Sequence, residues 1–446
     1  MYNTGYMTPE STGRGPINFG QIKEQKEALP KPVPVNFFKL GGTWDMVIDA
    51  HGQKIGSGSL DDDAFRKIQE EMGIFTRSPV DRARAERKLV TRLYQRFQET
   101  QKEELLDVTK HLSSWAKLEG GGEKFEDLVS GPLIPLFSGD SSHLRNPIIA
   151  PIIVTLIERA IKEPNKPIIG GQGTDTADIA LLGPFDALTF DTELPPLILA
   201  GANRSHREVN SDAPGNFVDL AKLAHIDLES GAYWVFQGSL YKASDFVKID
   251  PLETRPVENQ FTFFAPNETK EEIVYLWNRR HKLKANWELR KAPPSDHITH
   301  RITPDSLYEA FEQIFVDDLG HQNSTLQSMT STYDPSIKAI VVGAHSLGNV
   351  DNETRFDLVQ AAKSGKLVVD ASRTLIPAAT IDYAASLLSA NGNPEELGGT
   401  GKIIISARKL SKSMARAVLT RAILEKLDQV QTQEFLDRYA QARNLM

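Results

Sequence analysis

The chain has 446 residues, 40% of them hydrophobic and 25% charged, which fits an ordinary globular protein of two or three domains with room for real cores. A net charge of −8 argues against a general nucleic-acid binder, and the absence of cysteine excludes disulfides, thiolate metal sites and cysteine nucleophiles together. No run approaches the roughly 20 apolar residues that cross a bilayer, and Met1 to Pro34 carries no apolar core of a signal peptide, so a cytoplasmic location with no membrane partner is the expectation.

Residues 1–33, rich in Gly, Pro, Thr and Lys, read as a flexible arm. A strand is predicted at about 34–40, then a loop with Gly52, Gly56 and Gly58. Leu89, Leu93 and Phe97, then Leu105, Val108, Leu112 and Trp115, recur at helical spacing and predict a helical insertion over about 61–118. Beyond it, apolar runs at 133–137, 167–171, 196–200 and 232–237 alternate with helical stretches near 148–162, 175–183 and 215–225. That alternation predicts a parallel sheet covered by helices, in an N-terminal α/β domain over 34–250. Pro251, Pro256, Pro266, Pro293 and Pro294 mark a linker over 251–300 with a charged insertion. Its basic stretch 276–291, with Trp277 and Trp287, is read as a solvated or interface helix rather than an RNA contact. Strands at Ile340–Val342, Leu367–Val369 and Ile403–Ile405, with helices at 303–316, 353–364, 379–389, 411–426 and 431–443, give a smaller C-terminal α/β domain over 301–446.

Two glycine-threonine corners stand out: Gly41-Gly42-Thr43, and Gly171-Gln172-Gly173-Thr174-Asp175-Thr176. Each follows an apolar, β-prone run, so each threonine is expected at the carboxyl end of a strand, the edge where open α/β sheets bind ligands. A threonine hydroxyl there acts as a nucleophile once a neighbour takes its proton. Asp175 offers a carboxylate for an ammonium group, or an N-cap for the next helix. Ser141 and Ser142 offer hydroxyls for a carboxylate, or caps in the same way. Gly343 to Gly348 is no phosphate loop, since no Gly-Lys-Ser/Thr follows. With no ligand cluster and no dinucleotide fingerprint, no metal and no organic cofactor are expected.

In order along the chain, Gly41-Gly42-Thr43, Asp140-Ser141-Ser142, Gln172 to Thr176, Gly201-Ala202-Asn203-Arg204, Ser211 to Asn216, Val235-Phe236-Gln237-Gly238, Gly348-Asn349 and Ser372-Arg373 resemble the motifs of the bacterial-type asparaginase/glutaminase family. The resemblance covers most of 34–440 and implies that family's two-domain α/β fold. It implies hydrolysis of the side-chain amide of asparagine or a related small amide, with Thr43 as nucleophile and Thr174 positioning or activating the attacking group. It gives Asp175 the substrate's ammonium, Ser141 and Ser142 its carboxylate, and Asn349 a reach into a neighbouring subunit's site. A homodimer or homotetramer and a small amino-acid substrate are the implied partners.

The chain also departs from the family. Gln172 stands for a histidine, Trp44 for an isoleucine, and no tyrosine follows Thr43 at the expected distance. Pro195 falls where this reading expects the family's lysine. His51, Lys54, Ser57 and His206 are the residues available to replace missing groups. A diverged enzyme with another substrate, or a catalytically weak ligand-binding protein, is the alternative expectation.

Overall fold

The structure is a computed structural model that describes residues 31–42, 44, 47–48, 54–55, 70, 78–101, 125–137, 141, 144–177, 180–206, 211–225, 228–236, 239–245, 247–249, 262–264, 301–317, 334–344, 350–372, 387–393, 395–399 and 401–443. Residues 1–30 of the arm, the charged stretch 276–291 and much of the predicted 61–118 insertion lie outside the described residues, while Val33, at the arm's end, pairs with Val129.

Strand β1 (Asn36–Leu40) is buried along its whole length, because helices cover both faces of a parallel sheet and leave its central strands no wet side. Helix α1 (Pro79–Thr100) starts where Ser78 accepts a hydrogen bond from the Asp81 amide and Pro79 sets the first turn. The chain then runs through β2 (Leu133–Phe137), α2 (Asn146–Lys162), β3 (Ile168–Gln172), α3 (Leu182–Thr189), β4 (Leu197–Ala200), α4 (Ala213–Leu223) and β5 (Ala232–Phe236). β6 (Ser239–Lys242) folds back antiparallel on β5. The sheet order is β6-β5-β4-β3-β1-β2, and every pair but the last hairpin is parallel. From β1 the chain steps one way to β2, then returns past β1 to make β3. The order therefore reverses between β1 and β3, and a crevice opens there at the carboxyl ends.

Successive side chains leave β1 on opposite faces. Phe38 and Leu40 join α1, α2 and α3 in one apolar cluster; Phe37 joins Trp44, Phe217 and α4 in the other.

A second, all-parallel sheet has the order β7 (Ile314–Asp317), β8 (Ala339–Ala344), β9 (Leu367–Ser372), β10 (Ile405–Ser406). Helices α7 (Lys412–Glu425) and α8 (Gln429–Ala442) cover one face; α6 (Asn352–Lys363) and the turn Leu387–Gly392 cover the other. Helix α5 (Pro304–Glu312), opened by a Thr303–Ser306 capping box, sends Leu307, Tyr308 and Phe311 into the cluster of α1 and α2. The helix that begins the second unit thus packs on the first.

Arginines tie the units further. Arg421 of α7 donates to the carbonyls of Ala187 (3.2 Å) and Phe190 (2.7 Å), a cation on the carbonyl-rich end of α3. Arg416 reaches Asn146 Oδ1 at 2.9 Å and lies over the Phe311 ring. Asp186 of α3 is the hub. Its carboxylate accepts from the Ala232 amide (2.8 Å), from Arg443 (2.9 Å) and from the Tyr439 hydroxyl. Burial first, then the neighbouring Asp186 charge, holds the Tyr439 phenol well above its ordinary range.

The segment predicted as one helix over 303–316 is a nine-residue helix followed by a strand. A short buried parallel strand is a plain apolar run, which helical spacing cannot exclude. The helix expected at 175–183 is a 3-10 turn at Thr174–Thr176, with α3 starting only at Leu182.

Two stability predictions follow from these buried charges. Arg443→Met leaves Asp186, 3% exposed, without its cation. We expect a loss of about 3–5 kcal/mol, read from the midpoint of urea unfolding. Asp370 on β9 is fully buried with no hydrogen-bond partner among the described residues on either carboxylate oxygen, and burial pushes its carboxyl up to about 7. The folded chain then holds that proton while the unfolded chain, ionising near 4, gives it up. Stability is full below about pH 4, falls as pH rises, and levels off above about 7, a loss on the order of 4 kcal/mol. Asp370→Val should therefore gain on the wild type between pH 4.5 and 7.5 in paired urea titrations; equal gains at both pH values would contradict this.

Candidate active site

β1 and β3 run side by side in register, Lys39 opposite Gly171 and Leu40 opposite Gln172. Both corners therefore leave the sheet at the same edge. Beyond the last pair the backbones touch: a Cβ added to Gly42 would lie 2.2 Å from Gly173 Cα, and one added to Gly173 would lie 2.1 Å from Ser141 Oγ. Gly42 also sits at φ +104°, a conformation open to glycine alone at little cost. Three predicted site segments thus converge on one point.

Thr174 begins the 3-10 turn directly after Gly173 and is 2% exposed. Gln172 closes that turn. Its side-chain nitrogen donates to the Thr176 carbonyl (3.1 Å) and hydroxyl (3.2 Å), both through one amide group. Asp175 lies within the turn; its side chain is outside the described residues. Because α3 starts seven residues later, Asp175 does not cap it, which removes the capping reading. Ser141 is 2% exposed and its carbonyl accepts from the Leu144 amide. The cap of α2 is Arg145, so Ser141 does not serve as that cap either. Thr43, Ser142 and Asn349 lie outside the described residues, as do His51 and Ser57 and the Lys54 side chain.

Trp44 carries the chain away from the first corner. Its Nε1 donates to the Gly41 carbonyl at 2.7 Å, and its ring fills the space that a side chain at Gly171 would need. It packs at 4.8 Å on Phe217 and edge-on to Phe37. A large aromatic thus anchors the corner in the core on one face of the sheet.

The end of β4 is gripped by α4. Asp212 accepts from the Asn203 amide (3.0 Å), the Arg204 amide (3.1 Å) and the Asn216 side chain (3.3 Å), and Asn216 also donates to the Gly201 carbonyl at 2.8 Å. This explains the Ser211 to Asn216 motif as a clamp on the strand end. Both polar atoms of the Asn203 side chain are enclosed without a hydrogen-bond partner. On the same loop, His206 Nδ1 stands 2.9 Å from the Trp44 carbonyl, so β4 reaches across β3 to hold the first corner.

Pro195 requires a correction. It precedes β4, whose Leu197 pairs with Ile168 at the amino end of β3 and whose Ala200 pairs with Gly171 near the carboxyl end. About 20 Å of extended chain separates residue 195 from residue 201. A lysine at 195 would sit at the opposite edge of the sheet, so its absence says nothing about proton transfer at the corners. Lys39 was overlooked. It is 5% exposed on β1, opposite Gly171, and a lone lysine inside an apolar run was the available signal.

The Gly42–Gly173 contact makes a sharp prediction. Gly173→Ala must displace Ser141 and Gly42 together, costing about 1–3 kcal/mol of stability by overpacking. The same change should weaken any ligand of this edge, measured as a smaller thermal shift than the wild type gives.

The family model for the N-terminal region of asparaginase matches residues 35–279. No curated protein matches the chain in sequence. Among solved structures, the thermostable L-asparaginase from Thermococcus kodakarensis superimposes with a TM-score of 0.53 at 16% identity, covering 91% of this chain and 97% of that one. A probable cytoplasmic L-asparaginase from Campylobacter jejuni gives 0.53 at 15% identity, with 91% and 99% covered. L-asparaginase I from Vibrio cholerae gives 0.52 at 14%, with 91% and 97% covered. The mixed α/β fold, with its parallel-dominated larger sheet, is the fold of these proteins. Because the family model spans more than half of the chain, the protein belongs to the asparaginase family as a distant member.

Proposed function

We propose that this protein is an amidohydrolase acting on the side-chain amide of asparagine or a related small amide, with Thr43 as nucleophile. The observation that carries the reading is the contact of Gly42, Gly173 and Ser141 at the β1–β3 switch, which supports a shared pocket for residues 43 and 174. On this reading the Thr43 oxygen bonds to the amide carbon, the carbon–nitrogen bond breaks, ammonia leaves, and water hydrolyses the ester. Backbone amides around Gly42, Gly173 and Thr174 stabilise the oxyanion; a single donor of this kind is typically worth about 10²–10³ in rate. Thr174 orients the attacking group. Asp175 pairs with the substrate's ammonium, and the Ser141 and Ser142 hydroxyls donate to its carboxylate. Asn349 completes the site of a neighbouring subunit, so the active form is a homodimer or homotetramer, in the cytoplasm as for the C. jejuni protein.

Purified protein incubated with asparagine, glutamine and simple amides should release ammonia. Thr43→Ala and Thr174→Val should each lower kcat at least ~10²-fold while leaving the unfolding midpoint within about 1 kcal/mol of the wild type. Ammonia release unchanged in both variants, or absent from the wild type with every amide, would overturn the reading.

A further inference from the structure

We propose that the second unit carries a binding site for a small organic anion with an apolar body, at the amino edge of its sheet. The site is a cleft of about 720 Å³, a volume typical of small-molecule sites. It lies where β7, β8 and β9 begin and where α5, α6 and α7 end. Ile337, Leu367, Ile423 and Leu427 give it apolar walls. Lys338, Lys366 and Lys426 line the same space, and a Cβ added to Gly365, also in the lining, would stand 3.4 Å from Lys402 Nζ. Four cations thus reach one cleft from four separate stretches of a chain whose net charge is −8. A solvated helix face would gather its charges on one element. These come from the approaches to β8, β9 and β10 and from the end of α7, and packing brings them together.

Their charge is not cancelled locally. Glu309 is the only acid among the described lining residues, and it pairs with Arg87 of α1 at 3.3 Å. The nearby Asp334 carboxylate accepts from the amide (2.8 Å) and hydroxyl (2.7 Å) of Ser336. Lys366 Nζ donates to the carbonyls of Ile337 (2.9 Å) and Asp334, and Lys338 Nζ donates to the Pro335 carbonyl at 3.3 Å. Carbonyls are neutral acceptors, so they fix these two ammonium groups in place and leave their positive charge standing.

The three helix ends work against an anion, because their last carbonyls carry partial negative charge. Those carbonyls are already bonded. Ala362 of α6 accepts from Gln429 Nε2 at 2.7 Å. Ala422 and Ile423 of α7 accept from the Leu427 and Lys426 amides, and Glu309 of α5 accepts from the Gln313 amide. The lysines therefore set the sign of the cleft. Apolar walls alone would take a neutral guest; ammonium groups around them select a negative one, through a carboxylate or a phosphate. The site is separate from the chemistry proposed at the corners, and testing it needs no turnover.

The test is calorimetric titration of the full-length protein at low salt with hexanoate and with phenyl phosphate. Hexanol, phenol and inorganic phosphate present the body or the charge alone. We expect at least one anionic probe to bind at least ~10-fold more tightly than its neutral counterpart and than inorganic phosphate; the tighter of the two anions identifies the head group. Lys338→Gln combined with Lys426→Asn should weaken that probe about tenfold. Asparagine suits position 426, whose φ is +58°. Ser364→Trp, which narrows the cleft without changing its charge, should weaken it as much. Urea midpoints establish that the variants fold. The inference fails if neither anion binds, if the neutral probes or inorganic phosphate bind equally well, or if folded variants keep the wild-type affinity, which would put the anion at another site. None of these outcomes bears on the amidohydrolase reading.

Discussion

Two strand ends that meet without side chains set the geometry of everything around them. With Leu40 paired to Gln172, the next residues of β1 and β3 approach so closely that a single methyl on Gly42 would overlap Gly173. The contact is available only to glycine. It brings Gly42 and the Gly173–Thr174 turn to the same edge at the point where strand order reverses. Two chains of side-chain atoms at this level would have spread the strands and opened the crevice too far for one small guest.

The corners are held from both sides by different physics. On the α4 side the anchor is apolar: Trp44 fills the gap over Gly171 and stacks among Phe37 and Phe217. Beyond β3 it is polar, with one carboxylate, Asp212, collecting three donors at the end of β4. Behind the sheet, Asp186 does for the two units what Asp212 does for the loop. It joins the start of β5 to the last helix through Arg443 and Tyr439. Breaking such a pair costs more than never having had it, because one charge stays behind in the core.

The sequence made the sheet legible where apolar runs were short and bounded by glycine or proline, as at Leu133–Phe137 and Leu367–Ser372. It hid β7, because a buried parallel strand after a helix continues the apolar pattern without a break. The corners were legible because Gly-Gly-Thr and Gly-Thr-Asp-Thr leave few other structures possible. Their meeting was implied only by the family resemblance, not by the residues themselves, since it depends on which strand lies beside β1, and strand order follows from packing at long range. The misplaced lysine position at Pro195 arose in the same way. Counting residues back from Gly201 ignores that a strand carries the chain across the whole sheet.

Two aspartates, one half-buried and one fully buried, show what this fold tolerates. Asp212 and Asp370 each sit near the carboxyl end of a parallel sheet. Asp212, half-buried, accepts from backbone and side-chain donors. Asp370 has no donor among the described residues on either oxygen and is driven toward its neutral form by burial. A carboxylate needs several donors to remain charged out of water; with none, it takes a proton instead. Beside the first sheet's corners the loop turns its amides toward a carboxylate, whereas burial in the second sheet drives Asp370 toward its neutral form. The site proposed here for an ammonium and a carboxylate lies where donors are already aimed, at the edge where β1, β3 and β4 end.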